Sequence, residues 1–410
     1  MQGINMTSNV YSIFFNWYNK QGILRNNRNN KLFSLNLATF LALKFMYQFS
    51  LKKFSDSKSQ VIKNVIDFLN NNEISLSKTN TKIVEFSTKI PLKVIQIEVT
   101  NKCNLRCMHC YLPDYSKELD RKKISSIVYE AKQLGVMDVD FTGGEPLLLQ
   151  GLSEIIEEVL KEGMCTTIFT NAVYIPEDFK ILIQRYDGIR LKVSLDGWNE
   201  TIHDSIRGRG TFKRTIKNIE YFRSLGVPVT VNVVLNNKNI SGVKYFLELF
   251  DRLDVKYAFD RFLPFERNNR LSISDEEFNN AILCIPNIQA NCNNISESTF
   301  ESFYCGAGNS YVFINSSGDV GFCPTLSSTK FCGGNINEKT LNDIWINSKF
   351  FNHIRNVRCK YYNECPANYV CQGGCRSRAQ FFGGSIGSPD IQECKLAYNL
   401  TGIKPKSMSL

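Results

Sequence analysis

Val94-Ile-Gln-Ile-Glu-Val-Thr100-Asn-Lys-Cys103-Asn-Leu-Arg-Cys107-Met-His-Cys110-Tyr111 is the stretch on which the reading of this chain turns. Val94–Thr100 alternates as a strand does. The loop that follows carries Cys103, Cys107 and Cys110 in a Cys-x3-Cys-x2-Cys pattern. Three thiolates at this spacing can wrap one iron–sulfur cluster and leave one iron without a protein ligand. That open iron can be chelated by the amino and carboxylate groups of a bound molecule. Zinc sites more often close a tetrahedron with paired Cys-x2-Cys or Cys/His sets, and zinc stays open as the alternative.

Downstream, short β-rich runs alternate with amphipathic helices as far as Pro264. Asp138–Thr142, Thr166–Thr170, Arg190–Leu195, Val227–Leu235 and Lys256–Phe262 read as further strands. Ser125–Leu134, Leu152–Lys161, Pro176–Arg185, Phe212–Leu225 and Ser241–Leu253 read as helices between them, with Gly135, Gly163 and Gly226 where helices should stop. Six β/α units in succession predict an α/β fold with a parallel sheet, open or partly closed as a barrel. Polar and glycine residues gather at the predicted strand ends, where such folds build their sites. Gly143, Gly144, Glu145 and Pro146 follow the second strand, and Asn171 the third. Ser194 and Asp196 follow the fourth, and Arg207 lies in a loop beyond. Glycines let backbone approach a ligand closely, and Glu145 offers an acceptor for an ammonium. Taken singly, a Ser or Asp at a strand end is more often a cap or turn residue.

This triplet, after a first strand and at the head of six β/α units, resembles the radical S-adenosylmethionine (SAM) superfamily. The resemblance implies a partial (β/α)6 TIM-like barrel. It implies a [4Fe–4S] cluster on Cys103, Cys107 and Cys110, with SAM on the open iron, cleaved reductively to a 5′-deoxyadenosyl radical that abstracts hydrogen from substrate. It further implies that Gly143–Pro146 meets the methionyl amine, Ser194 and Arg207 the carboxylate, and Asn171 or Asp196 the ribose. One departure is Asn171-Ala172, where the family often has Asn-Gly, which predicts a small change in backbone freedom. His109 reads as a packing or hydrogen-bonding group near SAM, and His203 and His353 as surface or cap residues.

The chain has fourteen cysteines, eight of them beyond residue 300. The late pattern is Cys305-x12-Gly318-x4-Cys323, then Cys359-x5-Cys365-x5-Cys371-x3-Cys375, then Cys394. It resembles the SPASM extension of radical SAM enzymes, which holds auxiliary [4Fe–4S] clusters. The x5 spacing after Cys359 departs from the usual x2 and puts its ligand role in question. By resemblance, Cys359, Cys365, Cys371 and Cys394 hold one auxiliary cluster, and Cys305, Cys323 and Cys375 the other. The latter keeps an open iron unless Cys332 or another residue fills it. Structural zinc is the alternative for this region too. With weak periodicity, residues 305–394 are expected to need a metal to fold.

Three domains follow: residues 1–90, 91–300 and 301–410. In the first, Leu37–Phe49 and Val61–Asn70 have helical spacing and Ser75–Ser87 reads as a linker with a possible strand. A strand, a helix and a second helix resemble the small winged-helix domains that capture leader peptides by adding them to a sheet edge. An uninvolved capping domain fits the same pattern. A net charge of +10 spread over scattered Lys and Arg reads as a solvated basic surface, not a nucleic-acid site. The most apolar N-terminal stretch, Leu35–Phe49, is too short to span a bilayer, and no secretory signal is visible, so a cytoplasmic protein without membrane contact is expected. Cytoplasmic cysteines point to metal chemistry over disulfides.

Radical SAM chains with a SPASM extension commonly modify peptides. The resemblance therefore implies a maturase that joins a cysteine sulfur to a carbon within a precursor peptide bearing a leader, with electrons from a donor such as flavodoxin or ferredoxin. A sulfatase-maturing type of oxidation is the alternative, although Pro324 stands where those enzymes often carry an Asp. Carbon–carbon cross-linking is a further one.

Overall fold

The computed structural model describes residues 10–49, 59–112, 114–264, 269–285, 306–327 and 329–408. The N-terminal part builds a four-stranded sheet from β1 (Tyr11–Asn16), β2 (Gln21–Asn26), β3 (Leu32–Asn36) and β4 (Thr81–Phe86), in the order β3-β2-β1-β4. Helices α1 (Leu37–Phe49) and α2 (Gln60–Asn71) cover one face. Strand β1 escapes a search for alternation because all six of its residues are buried. Ile13 and Phe15 pack under α1, with Phe15 stacked on Phe40 at 3.9 Å between ring centroids. Phe14 points the other way, into the core of the next domain.

That domain is the barrel. Strands β5 (Val94–Thr100), β6 (Asp138–Gly143), β7 (Thr166–Thr170), β8 (Ile189–Ser194), β9 (Val229–Leu235) and β10 (Lys256–Arg261) lie side by side in chain order, each pair parallel. Helices α3 (Arg121–Gln133), α4 (Leu152–Lys161), α5 (Glu177–Arg185), α6 (Glu200–Arg207), α7 (Thr211–Ser224) and α8 (Val243–Leu253) connect them. Gly135, Gly163 and Gly226 take positive φ of 78°, 83° and 74°, which ends α3, α4 and α7 as their positions predict. Helix α6 is new to the structure, and Arg207 is its last residue, not part of a loop.

The barrel sheet does not stop at β5. Strand β11 (Tyr311–Ile314) pairs parallel to β5, and β12 (Asp319–Gly321) and β13 (Cys332–Asn335) extend the sheet as antiparallel strands. Val312, Phe313, Ile314 and Trp345 are fully buried, and the Trp345 indole N–H donates to the Ile90 carbonyl at 2.9 Å. This half of the cysteine-rich region therefore shares the barrel's apolar core, so burial as well as metal can order it.

The N-terminal sheet closes the barrel at the amino ends of its strands. Arg25, on β2 and 1% exposed, donates to Asp138 Oδ1 and Oδ2 at 2.9 Å each and to the Met137 carbonyl at 3.1 Å. Arg190 meets the same carboxylate from β8. Ser12 donates to the Gly163 carbonyl at 2.6 Å, and Arg28 pairs with Asp187 at 2.9 Å. A buried guanidinium shared across two domains makes clean removal of the first one unexpected.

Candidate functional site

The carboxyl ends of the strands converge on the cysteine loop. Gly143 and Gly144 leave β6 and run against the backbone that carries Cys103. A Cβ on Gly143 would sit 2.1 Å from the Thr100 carbonyl oxygen; one on Gly144 would sit 2.4 Å from that of Lys102 and 2.8 Å from Cys103 Cβ. The Gly144 and Glu145 N–H groups donate to the Thr100 and Lys102 carbonyls at 2.8 and 2.9 Å. These glycines are required by close approach of two backbones. Glu145 is fully buried, and its carboxylate accepts from Thr170 Oγ1 at 2.8 Å, Asn171 N at 2.8 Å and Leu147 N at 3.2 Å. Burial pushes its acid up to about 7. Its side chain thus braces β7 against the loop, and Pro146 packs beside it as a buried residue.

Asn171 reaches the cysteine loop from the other side, donating to Asn104 Oδ1 at 2.8 Å, with Nδ2 4.0 Å from Cys103 Sγ. Ala172 holds φ +54° in the left-handed region that favours glycine. Asp196 and Arg207, expected at ribose and carboxylate, are bonded to each other, Nε to Oδ2 at 2.5 Å, and both are buried. For Asp196, burial opposes ionisation, but Arg207 and then His109 overrule it and hold its acid below the usual range. His203 is fully buried, not a surface residue: its Nδ1 accepts from the Asp196 N–H at 3.2 Å. His353 is exposed.

A cavity of about 540 Å³ occupies the barrel mouth. Ser194, His109 and Asn232 line it on the barrel side, and Cys323, Pro324 and Cys375 on the side of the C-terminal region. His109 Nδ1 and Asn232 Oδ1 are buried without a protein partner among the described residues. Unpartnered polar atoms on two residues that line one cavity fit a polar ligand such as SAM. Asn232, Asp140 and Lys192 were missed as site residues. Their signal is the polar set of each alternating strand, Asp140 with Thr142 on β6, Lys192 with Ser194 on β8 and Asn232 on β9, which lines the cavity. Burial, with the charge of Asp138 next, pushes the Asp140 acid up to about 7.

Cys103, Cys107 and Cys110 are all half-buried on their loop. Burial pushes the Cys103 thiol up to about 11, while the Leu105 N–H, donating to its sulfur at 3.4 Å, favours the thiolate. Cys359, Cys365, Cys371 and Cys394 line one small space together, the unusual spacing of Cys359 notwithstanding. Cys375 also lines a neighbouring cavity of about 430 Å³ with Cys359 and Cys371. Cys332 lies on β13 and donates to the Gly334 carbonyl at 3.0 Å. Cys305 lies outside the described residues. Among those residues no three His, Cys, Asp or Glu side chains close on a point that would hold a single ion.

A family model described as the Radical SAM superfamily matches residues 97–250. GTP 3′,8-cyclase of Petrotoga mobilis is 30% identical over 257 residues, which span 58% of this chain and 75% of that protein. The chain belongs to the radical SAM superfamily. A second model, described as an iron–sulfur cluster-binding domain and named SPASM, matches residues 305–375 of this radical SAM chain. Mycofactocin maturase MftC of Mycolicibacterium smegmatis is 25% identical over 328 residues, 72% of this chain and 81% of the relative. Streptococcus suis SuiB, solved with bound S-adenosylmethionine, shares the fold with a TM-score of 0.67 at 18% identity, covering 94% of this chain and 99% of its own; it has also been solved bound to its precursor peptide SuiA. As a radical SAM enzyme the chain uses SAM and iron–sulfur clusters. No helix among the described residues is long and apolar enough to cross a membrane.

Proposed function

We propose that this radical SAM enzyme matures a ribosomally made precursor peptide by joining a cysteine sulfur to a carbon of another residue in the same peptide. One observation carries the reading. A single cavity has Ser194, at the end of β8, and Asn232, midway along β9, on one wall, and Cys323 and Cys375 on another. A peptide held there has its reacting carbon and its sulfur within reach of both ends of the chain's chemistry.

In this reading Cys103, Cys107 and Cys110 would hold the SAM-binding cluster. Cys305, Cys323 and Cys375 would hold the first auxiliary cluster, and Cys359, Cys365, Cys371 and Cys394 the second. When bound, these groups supply the radical that removes a hydrogen atom and take up the one electron left over. The chain's own residues do the rest. Ser194, Asn232 and His109 offer polar atoms that orient SAM in the cavity. Phe169, Tyr111 and Phe262 wall the cavity and keep water from the reacting carbon. Asp140 lines the same cavity, and an acid near 7 is suited to take the substrate thiol proton. The division into residues 1–90, 91–300 and 301–410 belongs to the same proposal. Strand β3 ends the N-terminal sheet among the described residues, and its outer edge is where a leader would add as a strand. Likeness to SuiB, solved with a precursor peptide, and to a mycofactocin maturase supports a peptide substrate. A flavodoxin or ferredoxin would reduce the enzyme.

The test uses anaerobically reconstituted enzyme, SAM, dithionite and a cysteine-containing peptide encoded beside its gene. A thioether product loses two hydrogens and no longer reacts with iodoacetamide at the bridged cysteine. The same mass loss with an alkylatable thiol would replace the thioether by oxidation or a carbon–carbon bond. Pro324 on the cavity wall counts against the sulfatase-maturing type.

A further inference from the structure

Arg207 does more in this structure than its place by resemblance implies. It ends α6, and its Nε is fixed on Asp196 Oδ2 at 2.5 Å. Asp196 is itself held from three sides. Its Oδ1 accepts from the Val234 N–H at 2.8 Å, its carbonyl from Asn239 Nδ2 at 3.0 Å, and its N–H donates to His203. With Nε locked, the rest of the planar guanidinium has no freedom to turn. Nη1 lies 3.9 Å from Cys107 Sγ and Nη2 3.5 Å from His109 Nε2. The backbones are tied as well: the Met108 N–H donates to the Ile206 carbonyl at 2.9 Å.

We propose that Arg207 is a positioning residue for the cluster on Cys103, Cys107 and Cys110: held by Asp196, it presents a buried cation and an N–H to the Cys107 sulfur and raises the cluster's reduction potential. The proposal rests on the reading of those cysteines as cluster ligands. A reduced cluster carries one more negative charge than an oxidised one. A fixed cation beside a ligand sulfur therefore favours the reduced form, the more so in a buried, low-dielectric place. Asp196 works against it from the far side of the guanidinium. Arg207 Nη1, not the Asp196 carboxylate, is the group that reaches the Cys107 sulfur, at 3.9 Å. The pair is thus oriented with its positive end toward the sulfur.

The test is an EPR-monitored redox titration of the reconstituted full chain without SAM. The first cluster's signal is the component missing from the Cys103/Cys107/Cys110→Ala variant. In Arg207→Gln the ratio of reduced to oxidised cluster at a fixed potential should fall about tenfold, equal to about 59 mV for a one-electron couple. In Asp196→Asn it should rise, because the opposing charge is gone and the guanidinium stays. Arg207→Lys should fall in between wild type and Arg207→Gln. A role confined to holding the fold moves all three midpoints in one direction, and that result overturns the proposal. So do unchanged midpoints with weaker SAM binding, which would make Arg207 a SAM clamp only. If Arg207→Gln does not load, the sign of the shift in Asp196→Asn decides. Iron content equal in wild type and in the triple-alanine variant would instead overturn the cluster assignment itself.

Discussion

Gly144→Ala should detach the cysteine loop from the barrel while leaving the barrel folded. The new methyl would lie 2.4 and 2.6 Å from the Lys102 and Asn101 carbonyl oxygens and 2.8 Å from Cys103 Cβ. The first two are backbone atoms, and the third belongs to Cys103, a proposed cluster ligand. None is the free end of a flexible side chain, so the loop must retreat by about 1 Å to reach ordinary contact, at roughly 1–3 kcal/mol for overpacking. A displacement of that size at a reacting centre can lower a rate about a hundredfold. Iron and sulfide per chain after anaerobic reconstitution, with 5′-deoxyadenosine formation alongside, measure the effect. Loss of about four iron per chain, or full loading with SAM cleavage reduced about a hundredfold, is expected. Gly226→Ala is the control. Its Cβ meets nothing within 4 Å, but its φ of +74° is strained for alanine. It should cost about 1–2 kcal/mol of stability and leave iron untouched. A Gly144→Ala enzyme that loads iron and cleaves SAM as the wild type does would refute the close-packing argument.

Four further outcomes are expected. Arg25→Met removes one of the two cations on partly buried Asp138 and should lower stability by roughly 3–5 kcal/mol in a denaturant titration, and deletion of residues 1–90 should destabilise the barrel as well as leader capture; unchanged midpoints would contradict closure of the barrel by the N-terminal sheet. Asp140, raised from 3.8 to about 7, binds a proton in the folded chain that it releases when unfolded, so stability relative to Asp140→Asn should fall as pH climbs from about 4 to about 7 and then level off; a difference that is flat or rising across that window would remove the burial argument. The Cys103/Cys107/Cys110→Ala chain should retain about 8 of about 12 iron, at four per cluster, whereas zinc in place of iron would make the C-terminal cysteines structural.

The local features of this chain were legible from its order of residues. The Cys-x3-Cys-x2-Cys loop, the six β/α units, the helix-ending glycines and the x5 and x3 spacings of the late cysteines each lie in one contiguous stretch. Spacing and periodicity are properties of such stretches, so they survive without knowledge of the fold. Tertiary structure decided what no stretch contains. Strand β1 shows no alternation because it is buried on both faces, one of them supplied by the barrel. Arg25 and Asp138 are 113 residues apart, and Arg207 and Cys107 are 100 apart. Nothing local to either residue of such a pair marks its partner. The same holds for Glu145, whose carboxylate is claimed by donors from β7 and its exit, and for β11, which extends the barrel beside β5. Residue type and spacing named the chemistry; which charges face each other, and which sulfur a guanidinium reaches, followed only from packing the strands side by side.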